Sequence, residues 1–343
     1  MMEEEEAEET WNHKKQVLME EVAFRLVNGD LDAKIQAARE IRTLVRRSST
    51  NARSKIAASG VLQPLISMLT ISNIDAREAS LLALLNLAVR NERNKVSIVM
   101  SGAISPLVEL LKIQQNNLRE IATAAILTLS SAPSNKPTII ASGAIPLLVQ
   151  ILRSGNIQGR VDAVTALHNL FAFSPDNPNV IILDSKAACP LINLLKECKK
   201  NSKFAEKATA LIEILCQSEE GLLAVAMSDG GILALVETVE DGSKVSMENA
   251  VGALLLLCES CRDKYRELIL KEGAIPGLLW MTAEGTAKAQ ERARKLLDML
   301  RVDKSSPEKI TSAESAKMIL QDMVHRSMKN MQLRDVGSEV VNS

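Results

Sequence analysis

A short turn followed by an apolar helix recurs along the chain: SGVLQPLISML from Ser59, SGAISPLVELL from Ser101, SGAIPLLVQIL from Ser142, SKAACPLINLL from Ser185 and EGAIPGLLWM from Glu272. A weaker copy, GGILALVETV, starts at Gly230. The anchoring positions Gly60, Gly102, Gly143, Lys186, Gly231 and Gly273 lie 42, 41, 43, 45 and 42 residues apart. A period of this size belongs to units that cannot bury their own hydrophobic face and must stack on copies of themselves. It therefore overrides the two or three globular domains that 343 residues would otherwise suggest.

Each unit reads as three helices. The first is short, as in Asn91 to Met100, and ends in the turn, where Gly supplies the left-handed backbone or close approach of a tight corner. Pro64, Pro106, Pro146, Pro190 and Pro276 follow within a few residues. That places them in the first turn of the second helix, where a missing N–H costs nothing. The third helix is the longest: AREASLLALLNLA from Ala76, LREIATAAILTLS from Leu118, GRVDAVTALHNLF from Gly159, KFAEKATALIEIL from Lys203, SMENAVGALLLLC from Ser246 and KAQERARKLLDML from Lys288. Apolar residues cover more than half the circumference of these segments, so each needs neighbours on both sides. An earlier partial unit has Val17 to Val27 as second helix and Ala33 to Val45 as third, which makes about seven stacked units.

Composition agrees and removes several alternatives. Aromatic residues make up 2% of the chain, too few for base-stacking platforms and poor for an all-β domain. Lys and Arg sum to 41 against 42 Asp and Glu, so no net field attracts nucleic acid or an anionic membrane. The longest apolar run, Ala250 to Cys258, is about half the length of a bilayer-spanning helix. Six Glu in residues 3–9 are the opposite of a signal peptide, and five Cys without paired spacing suit a reducing compartment. A cytoplasmic or nuclear location is the expectation.

The period, the turn-plus-helix GAIPLLV and the third-helix pattern ALxNL, as in Ala83 to Leu87, are similar to armadillo repeats over residues 17–302. The SGAIPLLV style of turn, with Asn-rich starts to the first helix, resembles in particular the arrays of plant U-box proteins. The resemblance implies an all-α, right-handed α-solenoid. Residues 1–16 read as an acidic disordered tail, and 303–343 as a linker, an amphipathic helix from Glu308 to about Arg334 and a disordered end. Some 16 residues before the first helix leave no room for a U-box, so the expectation is an armadillo chain without ligase activity.

Such an array implies third helices lining a concave groove for an extended peptide, gripped by the Asn of ALxNL. That position runs through Thr43, Asn86, Thr128, Asn169, Glu213, Leu256 and Asp298. A side-chain amide there can hydrogen-bond both N–H and C=O of a peptide backbone, or it can instead cap or pack between helices; for Leu256, burial is expected. One turn earlier, where import receptors of the importin alpha type place Trp, stand Arg39, Leu82, Ala124, Thr165, Thr209, Gly252 and Arg294. None is aromatic, which disfavours basic localisation signals. One turn later come Arg47, Arg90, Ala132, Phe173, Gln217, Ser260 and Val302. The groove reads as basic at Arg39, Arg47 and Arg90, neutral and partly apolar through Thr128, Thr165, Asn169 and Phe173, and acidic at Glu213. A protein segment that is partly acidic with an apolar anchor fits it.

Catalytic chemistry is not suggested. The His at 13, 168 and 325 have no metal-ligand spacing, and phosphate-binding or nucleophile motifs are absent. His168 reads as a packed or solvated residue or a groove-edge hydrogen-bonding group, and Cys258-x-x-Cys261 as packing in preference to half a zinc site. Glu78 and Glu120, about 10 Å apart on successive helices, fit a solvated face as well as an acid–base pair. No cofactor, metal or small-molecule substrate is expected. The reading is a non-catalytic interaction scaffold, with recruitment of partners into a ubiquitination pathway as the alternative and nuclear transport behind both. Residues 1–21 carry −6 and residues 34–55 carry +6, so the tail either contacts the basic repeat or serves solubility.

Overall fold

The computed structural model describes residues 17–46, 48–113, 117–171 and 184–301. The two tails, Arg47 and Phe173 lie outside them. Among the described residues there is no strand. Helix α1 spans 17–28. It is followed by α2 (Leu31–Arg46), α3 (Thr50–Ile56), α4 (Leu62–Met68), α5 (Ile74–Ala88), α6 (Glu92–Met100), α7 (Ile104–Leu111), α8 (Asn117–Ser130), α9 (Lys136–Ala141), α10 (Ala144–Ser154) and α11 (Ile157–Phe171). Then come α12 (Ala188–Glu197), α13 (Lys203–Leu215), α14 (Glu219–Met227), α15 (Gly231–Asp241), α16 (Lys244–Ser260), α17 (Arg262–Lys271), α18 (Ile275–Glu284) and α19 (Ala287–Leu300). The chain forms two compact units that divide between Gly231 and Ile232. No single helix among the described residues is long and apolar enough to cross a membrane.

The third helices are α2, α5, α8, α11, α13, α16 and α19, and all but α8, whose preceding residues lie outside those described, begin where a side chain closes the first turn. Asp30, Asn73, Asn156, Ser202, Ser243 and Thr286 accept from the backbone N–H three residues on. In the first unit α2, α5, α8, α11 and α13 lie side by side, with α4, α7, α10 and α12 behind the last four. In the second, α16 and α19 are neighbours, with α18 behind α19. The prolines start helices as expected: Pro64, Pro106, Pro146 and Pro190 are third residues of α4, α7, α10 and α12, and Pro276 is the second of α18.

Gly60, Gly102, Gly143 and Gly273 turn the first helix into the second at φ between 79° and 88°, the left-handed region that a Cβ disfavours. Two anchors depart from the expected pattern. The left-handed residue of the weak repeat is Gly230 (φ 64°), whereas Gly231 already begins α15. Lys186 sits in a single 3₁₀ turn, Ser185–Ala187, and no described residue at that corner is left-handed.

Buried asparagines tie each corner to the one before. Asn94 donates to Leu87 O at the end of α5 (3.0 Å) and to Arg53 O of the preceding first helix (3.1 Å). Asn135 repeats this on Leu129 O (3.1 Å) and Lys95 O (3.0 Å). Each satisfies a third-helix carbonyl that would otherwise be orphaned in the interior.

In the first unit the core is an apolar seam between third and second helices, and Leu84 shows how it bears damage. Leu84, Leu81, Leu107 and Leu129 already border a gap of about 10 Å³, room for one water at most. Truncation there enlarges an existing void that its neighbours have not collapsed into. Leu84→Ala should cost about 3–5 kcal/mol in chemical denaturation and loosen the α4–α8 repeats first. Hydrogen exchange that stays unchanged in α5 and α8 would show that this seam is not where the stack is held.

Candidate functional site

With second helices packed behind α5, α8, α11 and α13, the opposite side of the third-helix layer in the first unit is open. Thr43 is exposed there; Asn86, Thr128, Thr165, Asn169 and Glu213 are half-buried. Bonds across the layer join residues within two positions of equivalence. Lys207 Nζ lies 3.4 Å from Thr165 Oγ1, and Asn169 Nδ2 donates to Ser130 Oγ at 3.1 Å. The ladder positions therefore share one face.

Their donors, however, are largely turned inward. Thr43 Oγ1 donates to Arg39 O (3.0 Å), Thr128 Oγ1 to Ala124 O (2.8 Å) and Thr165 Oγ1 to Val161 O (3.0 Å). Asn86 Nδ2 donates to Leu82 O at 2.7 Å, and Asn169 Nδ2 reaches Leu127 O as well as Ser130. A hydroxyl or amide whose hydrogen is engaged still offers oxygen lone pairs. The ladder thus presents acceptors, a narrower offer than the two-way backbone grip expected from the ALxNL pattern. Asn169 in particular joins α11 to α8, the packing role that the sequence left open. Asn169→Ala should lower stability by about 1 kcal/mol while Asn86→Ala, whose bond stays within one helix, costs less. Equal melting of Asn169→Ala and wild type would remove that inter-repeat role.

The basic end is wider than the sequence reading made it. Arg39 and Arg46 are exposed on α2 beside Thr43, and Arg42 is half-buried. Arg90 follows α5 in a left-handed conformation (φ 55°), the only such non-glycine residue described. Among the described residues these guanidiniums have no ion pair or side-chain hydrogen bond. By contrast, Arg25 grips Glu40 at 2.9 Å, and Arg53 is engaged by the carbonyls of Val45, Ser48 and Val89. The sequence reading counted Arg42 and Arg46 in the basic block of residues 34–55 but not among the groove residues, although Arg42 is one helical turn from Arg39 and Arg46 two. Arg47 and Phe173, expected at this face, lie outside the described residues.

Several candidates resolve into structure. Glu78 accepts from Asn117 (3.4 Å) and Glu120 from Asn156 (2.5 Å), each joining successive third helices, so neither is an acid–base pair in waiting. Glu248 repeats this with Thr286 in the second unit. Thr209 is buried and bonded to Ala205 O. Leu256, expected to be buried, is half-buried like the other ladder residues, between the buried Leu255 and Leu257. Burial pushes the Cys258 thiol up to about 11, which suits packing and not metal ligation. Among the described residues no His, Cys, Asp and Glu group of three or more could hold a metal ion.

His168 is half-buried on α11, and its Nδ1 has no partner among the described residues. Burial pushes its pKa below the ordinary 6.5; Lys207 and Lys136 push the same way, against a smaller upward pull from Glu206. The unfolded chain then takes up the proton first on acidification, so stability present above pH ~6.5 is lost as the pH falls below it. The melting temperature should fall more between about pH 7 and 5 in wild type than in His168→Gln. Asp162, whose carboxyl burial pushes up against Gln158, acts in the opposite sense and cancels in that comparison. Parallel pH profiles for the two proteins would contradict the assignment.

Helix triplets stacked at this period define an armadillo-repeat solenoid, and comparison with known proteins gives the branch. A family model of the plant U-box protein ARM repeat region matches residues 148–320, half of the chain, and the chain belongs to that family. It is similar to U-box domain-containing protein 17 of Arabidopsis thaliana, 38% identical over 79% of this chain and 37% of that protein. U-box domain-containing protein 45 of the same plant is 30% identical over 79% of this chain and 35% of its own length. The chain thus spans little more than a third of these relatives. A structure from a study of the interaction between cadherin and beta-catenin shares the fold, with a TM-score of 0.69, 18% identity, and 82% and 53% of the two chains covered.

Proposed function

We propose that this ARM-repeat scaffold binds partner proteins on the open third-helix face of its first unit, taking an extended segment whose acidic part lies over α2 and α5, and has no chemistry of its own. The observation that carries this is the set of guanidiniums at Arg39, Arg42, Arg46 and Arg90 beside the ladder that have no partner among the described residues. Guanidinium forks match carboxylates in a bidentate geometry, and an unpaired cluster on a face of otherwise bonded polar groups has charge to offer an incoming anion. The acceptor ladder over α8 and α11 then suits the N–H groups of an extended backbone. Arg90 in particular holds a conformation that costs a non-glycine residue of order 1 kcal/mol.

A second reading keeps the same face and changes its setting. The relatives named above carry U-box domains by name, which supports recruitment of partners into a ubiquitination pathway as the role of this array. Five free cysteines fit a cytoplasmic or nuclear setting.

Binding of an acidic peptide, followed by fluorescence anisotropy at low and physiological salt, tests the face. Arg39→Glu with Arg46→Glu should weaken it about tenfold or more, with the difference shrinking as salt screens the contact. Arg93→Glu, on the first-helix side, should leave it unchanged. Equal losses from both substitutions would mean general charge attraction and no defined site.

A further inference from the structure

The arginines of α2 are spread along the axis of the helix and not along the path of a segment that crosses it. Arg39, Arg42 and Arg46 follow one another at three and four residues on one side of α2 and cover about 10 Å of its length. Arg39 and Arg46 are exposed, Arg42 is half-buried, and none has an ion pair or side-chain hydrogen bond among the described residues. Glu40, the acid between them in sequence, is bonded to Arg25 at 2.9 Å. The neighbouring helix α5 samples the same three positions 43 residues on, and there all three are aliphatic: Leu82 and Leu85, half-buried, and Val89, 38% exposed. In α8 the positions hold Ala124, Leu127 and Ser131. A triplet of guanidiniums on one third helix therefore stands beside an apolar triplet on the next.

The crossing geometry sets how many side chains of a bound segment each helix meets. Neighbouring helices lie ~8–10 Å apart and an extended chain advances ~3.3 Å per residue, so about three residues pass over each helix. Side chains alternate along such a chain, and only one or two of the three point at the helix below. A carboxylate carries one charge and is matched by one guanidinium fork, which leaves the rest of the row on α2 without a counter-charge. A phosphate monoester brings a charge of about −1.5 to −2 and three acceptor oxygens within a single side chain, enough to take forks from two or three arginines. On the reading that an extended segment crosses this face, we propose that the residue over α2 is a phosphoserine or phosphothreonine. It is recognised together with an aliphatic side chain about three residues away, which lies on Leu82, Leu85 and Val89. Arg90, directly after Val89, adds a fourth guanidinium at the end of α5.

Fluorescence anisotropy on the full chain tests this with short labelled peptides that differ at one position, Ser, Glu or phosphoserine, and carry Leu three residues to either side. At physiological salt the phosphoserine peptide should bind about tenfold or more tightly than the Glu peptide, and Ser in place of the Leu residues should weaken it several-fold. Arg39→Lys with Arg46→Lys keeps the charge, loses the forks and should reduce the preference for phosphate; Arg39→Gln with Arg46→Gln should remove it. Phosphatidylserine vesicles should not compete. Equal affinity of the unaltered chain for phosphoserine and Glu overturns the proposal and leaves the acidic-segment reading standing, whereas binding of neither peptide removes both. A preference for phosphate that survives Arg39→Gln with Arg46→Gln overturns the proposal as well. Competition by vesicles that the same substitutions abolish would assign the cluster to a membrane surface and overturn it too.

Discussion

Everything in this chain depends on third helices that must be covered along both flanks. Ala83, Ala125, Ala166 and Ala253 lie buried at one equivalent position, where a side chain no larger than a methyl lets neighbouring helices approach. A helix of this kind has no stable existence alone, since its apolar flanks would face water. Stability is therefore held in contacts between repeats. The buried Asn94 and Asn135, which join helices of two repeats by side-chain bonds about 3 Å long, belong to the same economy of shared interfaces.

That dependence determines what the open face can offer. Side chains between two packed helices must satisfy their own polar groups first, because an unmet donor in a partly dry seam costs about 1–3 kcal/mol. Asn169 meets this need on Leu127 O and Ser130, and the threonines meet it on their own helices. Selectivity then shifts to residues whose groups stay in water at no such cost. The arginines of α2 and Arg90 are in that position: among the described residues their charge has no partner, and only Arg42 is half-buried. On the proposed reading, encounter with an acidic segment at such a face slows as salt rises.

The architecture was legible because its signals are periodic. Gly60, Gly102, Gly143 and Gly273 name their own corners, and the prolines name the helices that follow. Legibility failed where a repeat solves the same problem with other residues. Lys186 replaces a glycine by way of a 3₁₀ turn, and the doublet Gly230-Gly231 hides which member takes the left-handed conformation. At the site, alignment of Thr43 through Glu213 located the shared face, but not the direction in which each donor points. That direction is set by carbonyls of the same or the neighbouring helix, which no one-dimensional pattern records. Arg42 and Arg46 were counted in the basic block of residues 34–55 but not placed at the groove for a different reason: a search locked to one position per repeat passes over residues that only the first repeat supplies.

A repeat protein carries its own controls, since each position is sampled several times under nearly the same packing. Positions that hold one residue type through most repeats, such as the alanine row of Ala83, Ala125, Ala166, Ala210 and Ala253, report what stacking demands. Departures from the row report something local. At the start of the stack the alanine row gives way to Glu40, bonded to Arg25, and at its end to Lys295, bonded to Glu259. Both substitute a charge where no further third helix adjoins among the described residues, and both neutralise it with a partner of the same repeat or the one before. Arg39, Arg42, Arg46 and Arg90 depart in the opposite manner, adding charge that has no partner among the described residues. A departure paired internally answers a demand of the stack itself, whereas one that is not leaves charge that stacking does not account for.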